Sequence, residues 1–247
     1  MNKSDKTCIV YWSPGFLGDD DWNLLYPEPV SLFDQSLPFK TETKEGTRNP
    51  NFFYCPSFKD LAKNTFVLKN PIAGGYEVVN NKVIPTTQRN VPAWIQHPPS
   101  MGGQTVVEYD MHYLFFSEDD IEMSLTSPWF ENSPFMKYGT IVPGKLNISK
   151  WFRHINLEFN LHRNVIRFET QKDESLGYVT FNTDKQVKLV RFEMTDKLRS
   201  YSRSASNSST WESWIPLADR YKRFMATQTN KLVLNEIKKN LVDTDTE

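Results

Sequence analysis

The 247-residue sequence is poor in cysteine and glycine, and it has no long hydrophobic run. The two cysteines, Cys8 and Cys55, cannot supply a Cys-x-x-Cys zinc site, and His-Glu-x-x-His is also missing. The ten glycines form neither Gly-x-x-x-x-Gly-Lys nor Gly-x-Gly-x-x-Gly, which argues against the common phosphate-binding loops. Gly-x-Ser-x-Gly is missing too, so nucleophilic catalysis has no support.

The apolar stretches are only a few residues long. No apolar run follows the first residues, so we do not expect a signal peptide. A membrane span needs about 20 apolar residues, so we expect a soluble protein without a membrane partner. In a reducing cytoplasm both cysteine thiols are expected to be free.

Aromatic residues are abundant, at 14% of the chain. Each ring buries a large apolar area, so a sizeable core is possible with modest aliphatic content. The net charge is −1, but residues 145–240 carry 18 Lys+Arg against 10 Asp+Glu. These charges mostly alternate with apolar residues, as on the solvated face of a sheet, so we do not expect a nucleic-acid partner.

Alternating apolar residues predict strands in both halves of the chain. The predicted strands are 8–12, 65–68, 76–79, 82–84, 105–116, 121–125, 155–161, 166–169, 178–181 and 187–194. A change of phase at Leu189–Val190 predicts a β-bulge, and 146–196 reads as an antiparallel meander. The strand 121–125 is expected to pair with 105–116, and the proline-rich stretch 85–103 is expected to be a loop.

Helical signals occur at 56–63 and in the C-terminal tail. Pro216 is suited to a helix start, and the polar stretch 227–230 predicts a split into two helices. We therefore predict a mainly β fold, an antiparallel sandwich or jelly roll with a C-terminal helix. Residues 1–210 would form the β domain, with long aromatic and proline-rich loops. After a serine-rich linker at 200–210, residues 211–247 would form a helical tail with a polar end.

One strand face carries a metal-ligand set. Glu108, Asp110 and His112 occur at every second position of strand 105–116, so all three are expected on one side of it. Glu158 and His162 on strand 155–162 could complete an iron or manganese site. The order Asp-x-His is, however, the reverse of the His-x-Asp/Glu of jelly-roll oxygenases. A solvated strand face accounts for the same residues.

Two further features of the sequence each have two possible interpretations. The acidic runs 19–21 and 118–120 either bind calcium or form solvated turns, and they lack the spacing of an EF-hand loop. The loop aromatics either plug the ends of the β structure or form a ring-lined surface for sugars, bases or a partner chain. These residues are Trp12, Phe16, Trp22, Tyr26, Phe52, Phe53, Tyr54, Trp129, Phe130 and Phe135.

Four segments together resemble uncharacterised proteins of tailed phages, notably those of marine cyanobacteria. The segments are Tyr11–Pro14, Trp22–Pro27, Cys55–Asp60 continuing into Lys63–Leu68, and Asn147–Arg153. The resemblance covers most of residues 8–200 and supplies no site residues. It implies a viral origin and a bacterial host cytoplasm or a virion-associated location.

Two functions follow from these observations. The first is a phage-encoded accessory or structural binding module without catalytic activity or cofactor. Its partner would be another macromolecule or a second copy of the chain. The second is a jelly-roll iron-dependent oxygenase, with Glu108, Asp110, His112 and His162 as metal ligands.

Overall fold

A computed structural model of the chain describes residues 7–14, 26–37, 52–80, 82–86, 94–96, 105–205 and 215–242. Of residues 94–96 and 110–112 it describes the backbone alone. The described strands are β1 (Thr7–Ser13), β2 (Val30–Ser31), β3 (Thr65–Lys69), β4 (Gly74–Val79), β5 (Lys82–Pro85), β6 (Trp94–Gln96), β7 (Val106–Ser117), β8 (Glu122–Thr126), β9 (Gly139–Ile141), β10 (Gly144–Asn147), β11 (His154–Leu161), β12 (Arg167–Thr170), β13 (Ser175–Asn182) and β14 (Gln186–Arg191). The described helices are α1 (Leu32–Ser36), α2 (Pro56–Ala62), α3 (Asp196–Ala205), α4 (Leu217–Ala226) and α5 (Thr229–Lys239).

The strands form three sheets. The six-stranded sheet has the order β14-β1-β7-β11-β9, with β6 also paired to β7. The five-stranded sheet has the order β10-β8-β13-β3-β2, and the three-stranded sheet has the order β12-β4-β5. Every pair is antiparallel except β1 with β14, which is parallel. The predicted mainly β fold with antiparallel sheets and a C-terminal helix is confirmed.

The two larger sheets pack face to face around an aromatic core. Phe115 of β7 meets Phe181 of β13 edge to face at 5.6 Å, and Phe181 meets Phe66 of β3 at 5.7 Å. Tyr76 and Phe168 from the three-stranded sheet stack at 5.0 Å and join the same core. Rings dominate this interior, as the composition indicated, and each buried ring contributes roughly 1.5–3 kcal/mol.

The outer face of the six-stranded sheet is also buried, because α3, α4 and α5 pack on it. Leu114 and Phe116 of β7 point to this side, whereas Tyr113 and Phe115 point to the core between the sheets. The second cluster consists of Tyr11, Leu114, Phe116, Phe152, Phe192, Met194, Leu198, Phe224, Val233 and Ile237. The six-stranded sheet therefore lies between a second sheet and a layer of helices.

This second buried face explains why the bulge predicted at Leu189–Val190 is wrong. The register of β14 on β1 runs without a shift through Val10↔Leu189 and Tyr11↔Val190. Leu189 packs against the inter-sheet core, and Val190 packs against the helical layer. The change of phase marks a strand that passes between two cores.

Three other sequence predictions are wrong in pairing. The region 146–196 is not a meander, because its strands alternate among the three sheets. The strand β8 pairs with β10 and β13 and not with β7. Within the stretch predicted as a loop at 85–103, Trp94–Gln96 form β6 against β7.

The C-terminal prediction is confirmed in its main features. The first helix of the tail begins after Pro216, and α4 and α5 are separated at Thr227 and Gln228, the latter at a φ of 54°. The predicted linker at 200–210 is instead helical through Ala205, where α3 ends. The division of the chain into domains at residue 210 stays a prediction.

Candidate functional site

Strand β7 carries the predicted metal ligands, and its register with β11 is irregular there. Tyr109 faces Leu157 and Tyr113 faces Ile155, so Asn156 alone opposes the three residues 110–112. The strict alternation on which the ligand prediction depends is therefore interrupted at Asp110 and His112. The side chains of these two residues lie outside the described part of the structure.

Of the other two predicted ligands, Glu108 is hydrogen-bonded to a residue of β11, and His162 is exposed. Glu108 is half-buried, lies opposite Glu158 and accepts a hydrogen bond from the Asn156 amide. His162 is exposed, with its Nε2 3.3 Å from the Met136 carbonyl oxygen. Among the side chains that the structure describes, no three His, Cys, Asp or Glu residues form a metal-binding group. The iron or manganese hypothesis stays a prediction, because two of its four ligands are not described.

The acidic run 118–120 has a different basic or amide partner for each carboxylate. Glu118 accepts from Lys238 at 2.9 Å, and Asp119 accepts from Lys185 at 3.2 Å. Asp120 accepts from Lys150 and from the amide of Asn147, and these donors lower its pKa. The run therefore ties a solvated turn to three neighbouring segments. The run 19–21 lies outside the described residues.

The loop aromatics divide between the two predicted roles. Trp12, Tyr26 and Phe135 are buried and belong to the core between the sheets, as plugs would. Phe52 and Trp129, by contrast, are each 42% exposed. Phe16 and Trp22 lie outside the described residues.

The exposed rings belong to a continuous cluster on the outer face of the five-stranded sheet. We call this cluster the aromatic patch and define it as Phe52, Phe58, Trp129 and Phe130. Phe52 meets Phe58 at 5.0 Å and Phe130 at 5.6 Å. Phe58 also contacts Trp129 at 6.5 Å and Phe130 at 5.4 Å.

Local sequence signals place the rings of the patch. Phe52 lies in a 3₁₀ turn (Phe52–Tyr54), and the next helix, α2, begins at Pro56, whose fixed φ suits a first helical position. The Thr65 hydroxyl donates to the Leu61 carbonyl at 2.6 Å and closes the other end of this segment. Phe58 therefore projects from a short, well-bounded helix.

The floor of the patch is polar and ordered. Tyr178 of β13 touches Trp129 edge to face at 5.5 Å and donates to Glu131 Oε1 at 3.3 Å. Gln35 Nε2 donates to Glu131 Oε2 at 2.9 Å. Burial and the neighbouring Glu131 raise the pKa of Tyr178. These bonds orient the loop that carries Trp129 and Phe130.

A cleft of about 560 Å³ lies beside the patch, between α1, α2 and β14. Its charged lining residues are Asp34, Lys59, Asp60, Lys63 and Lys188. Lys59 also stands 5.6 Å from the ring centroid of Tyr54 and 5.9 Å from that of Phe53, within cation–π range. Exposed rings next to mixed charges are typical of a recognition surface.

Glu174 is an interior carboxyl that the sequence did not predict. It lies directly before β13 and is 8% exposed, and neither carboxylate oxygen has a partner at good hydrogen-bond geometry in the described part of the chain. Burial raises its pKa to about 7, against smaller lowering effects of the Gln171 backbone and Lys137. No sequence signal distinguishes it from the solvated acids of other turns.

No family model matches the chain, and no curated protein or solved structure is similar enough to count as related to it. The phage resemblance therefore stays a prediction. Among the described residues, no helix is both long and apolar enough to cross a bilayer.

Proposed function

We propose that this protein is a phage-encoded accessory or structural binding module, without catalytic activity, that binds a macromolecular partner through the aromatic patch. It would act in the bacterial host cytoplasm or on the virion. The observation that carries the proposal is the exposure of Phe52 and Trp129 in one continuous ring cluster.

Physical chemistry favours a binding role for such a surface. Leaving two large rings half in water forgoes part of their burial energy, roughly 25 cal/mol per Å² of apolar area. Centres of protein interfaces are enriched in Trp, Tyr and Phe, and a rim of charges such as Lys59 adds specificity. The bonds from Gln35 and Tyr178 to Glu131 hold the patch in place before a partner arrives, which lowers the entropic cost of binding.

The proposal is tested by removing the two exposed rings together, in Phe52→Ala/Trp129→Ala. Sedimentation over a concentration range measures self-association, and quantitative cross-linking in cells that produce the protein measures binding to other macromolecules. If the two rings are central to the interface, we expect a loss of about 30-fold in affinity in whichever assay detects a complex.

A matched control is Ile166→Ala. Ile166 directly precedes β12, is not part of the patch, and has an apolar side chain that is 75% exposed. We expect the control to behave as the wild type in both assays. A double variant that keeps its fold and every complex of the wild type would contradict the proposal.

A further inference from the structure

Three buried hydrogen-bond donors lie together where the helical layer meets the six-stranded sheet. They are the indole Nε1 of Trp151, the Nε of Arg153 and the hydroxyl of Tyr221. Among the described residues none of the three has a partner at good hydrogen-bond geometry, although the Arg153 guanidinium lies close to the Tyr221 oxygen. Trp151 and Arg153 directly precede β11, and Tyr221 lies on α4. We call these three residues the donor cluster.

The side chains of the donor cluster are stacked on one another. The rings of Trp151 and Tyr221 are nearly parallel, with an interplanar angle of 23° and centroids 4.3 Å apart. The Arg153 guanidinium stands 5.2 Å from the Trp151 ring centroid. Burial raises the pKa of Tyr221, and the charge and hydrogen bonding of the Arg153 guanidinium lower it by less. Arg153 is therefore adjacent to both rings.

Burial without a partner is costly for these groups, at about 1–3 kcal/mol for each unsatisfied donor. The cation–π contact and the nearby Tyr221 oxygen explain the position of the Arg153 guanidinium, but they leave the Trp151 N–H and the Tyr221 O–H without an acceptor among the described residues. Arg153 forms no ion pair with a described carboxylate. Native proteins satisfy nearly all buried polar groups, so a cluster of three exceptions points to an absent acceptor.

We propose that Trp151, Arg153 and Tyr221 form a binding site for an oxyanion, the carboxylate or phosphate group of a ligand. An oxyanion has several acceptor lone pairs and a negative charge, which match two neutral donors and one guanidinium. Phe152 lies between Trp151 and Arg153 in the sequence. Its ring is fully buried, with its centroid 5.4 Å from that of Phe116, and it fixes the backbone of the site.

A ligand would reach the site past the Arg153 side chain. All three side chains are half-buried, so the donor cluster lies at the edge of the protein and not in its centre. Arg153 has several rotatable bonds, so a change in its rotamer would open a path to the other two donors. The ligand would then link the sheet to α4, on the opposite side of the sandwich from the aromatic patch.

The test uses the indole ¹H–¹⁵N NMR signal of Trp151, assigned by its loss in Trp151→Phe. The full-length protein is titrated with inorganic phosphate and, separately, with sodium acetate, each against sodium chloride at matched ionic strength. We expect a saturable displacement of this signal in the millimolar range with phosphate or acetate and none with chloride. The anion that binds more tightly identifies the ligand group as phosphate or carboxylate.

Variants separate binding from general electrostatics. Arg153→Gln should abolish the saturable response, and Tyr221→Phe, which keeps the ring stack, should weaken it about tenfold. Arg167→Gln, at an exposed arginine on β12, should leave it unchanged. The proposal is overturned if neither anion exceeds chloride, or if the response persists in both Arg153→Gln and Tyr221→Phe.

Discussion

Glu174 and the donor cluster are both buried polar sites with unsatisfied hydrogen-bonding groups, but Glu174 lacks donors and the donor cluster lacks acceptors. Glu174 has two acceptor oxygens and no well-aligned donor, whereas Trp151, Arg153 and Tyr221 have three donors and no acidic acceptor among the described residues. The carboxyl can relieve its burial by taking up a proton, and its pKa accordingly rises to about 7. The guanidinium keeps its proton at any pH that the fold tolerates, so the donor cluster can be relieved only by an incoming acceptor.

The comparison also separates a sensor from a binding site. A lone interior acid makes stability depend on pH without any ligand. An interior set of donors makes stability depend on an anion, because a ligand that binds only the folded state stabilises it. The two sites lie in different elements, the first before β13 and the second on α4 and before β11, so each can be changed without the other.

The largest effect is expected from Phe152→Ala, which removes the anchor of the donor cluster. Its ring is fully buried and meets Phe116 edge to face at 5.4 Å. We expect the free energy of unfolding to fall by about 3–5 kcal/mol, measured by urea denaturation. The pH dependence caused by Glu174 should survive in this variant. Its disappearance would show that the two sites are coupled.

The next effect is the pH dependence of stability caused by Glu174. Its folded pKa of about 7 exceeds the ordinary value of 4.5, so the folded protein holds a proton that the unfolded chain releases. The contribution of this group to stability is therefore full below pH 4.5 and is lost as the pH rises to about 7, by up to roughly 3 kcal/mol.

Glu174→Gln should remove this loss and be the more stable protein above pH 7, as measured by urea denaturation across the pH range. The control is Glu169→Gln, a change of the same chemistry at an exposed residue on β12. If the wild type and Glu174→Gln show parallel pH profiles, Glu174 is not an unrelieved interior acid.

The smallest effect distinguishes a satisfied hydroxyl from an unsatisfied one. The Tyr109 hydroxyl donates to Asn70 Oδ1 at 2.7 Å, and Tyr109→Phe would leave that buried oxygen without this donor. We expect a destabilisation of about 1–3 kcal/mol for Tyr109→Phe. Without an anion, Tyr221→Phe should be close to neutral, because the buried Tyr221 hydroxyl has no well-aligned hydrogen bond to a described residue that it could lose. Equal losses in the two variants, measured by thermal unfolding, would mean that Tyr221 has a partner.

Local pattern predicted most strands but not their pairing. The hairpin of β4 and β5, with Asn80 at a φ of 50°, needs only neighbouring residues, and both of its strands were predicted from them. The pairing of β8 with β13, by contrast, joins residues more than 50 positions apart. The alternating pattern of a strand does not specify the sheet to which the strand belongs. Its pairing is therefore decided only when the sheets assemble.

The alternating pattern also gave a wrong prediction where both faces of a strand are buried. In β14, Leu189 and Val190 each contact a different core, and a pattern that assumes one wet face reads this as a bulge. The helical layer that buries the second face comes from the end of the chain.

The abundance of aromatic residues by itself indicated a ring-based core, because each ring can bury a large apolar area. Alternation and turn residues determined that the core is enclosed by β-strands with helices at the C-terminal end. Only the tertiary structure decided which rings are buried and which, like Phe52 and Trp129, stay at the surface. It alone placed Glu174 without a well-aligned donor and Trp151, Arg153 and Tyr221 without an acidic acceptor among the described residues. Burial and hydrogen bonding depend on atoms brought together from distant segments, and no single segment encodes them.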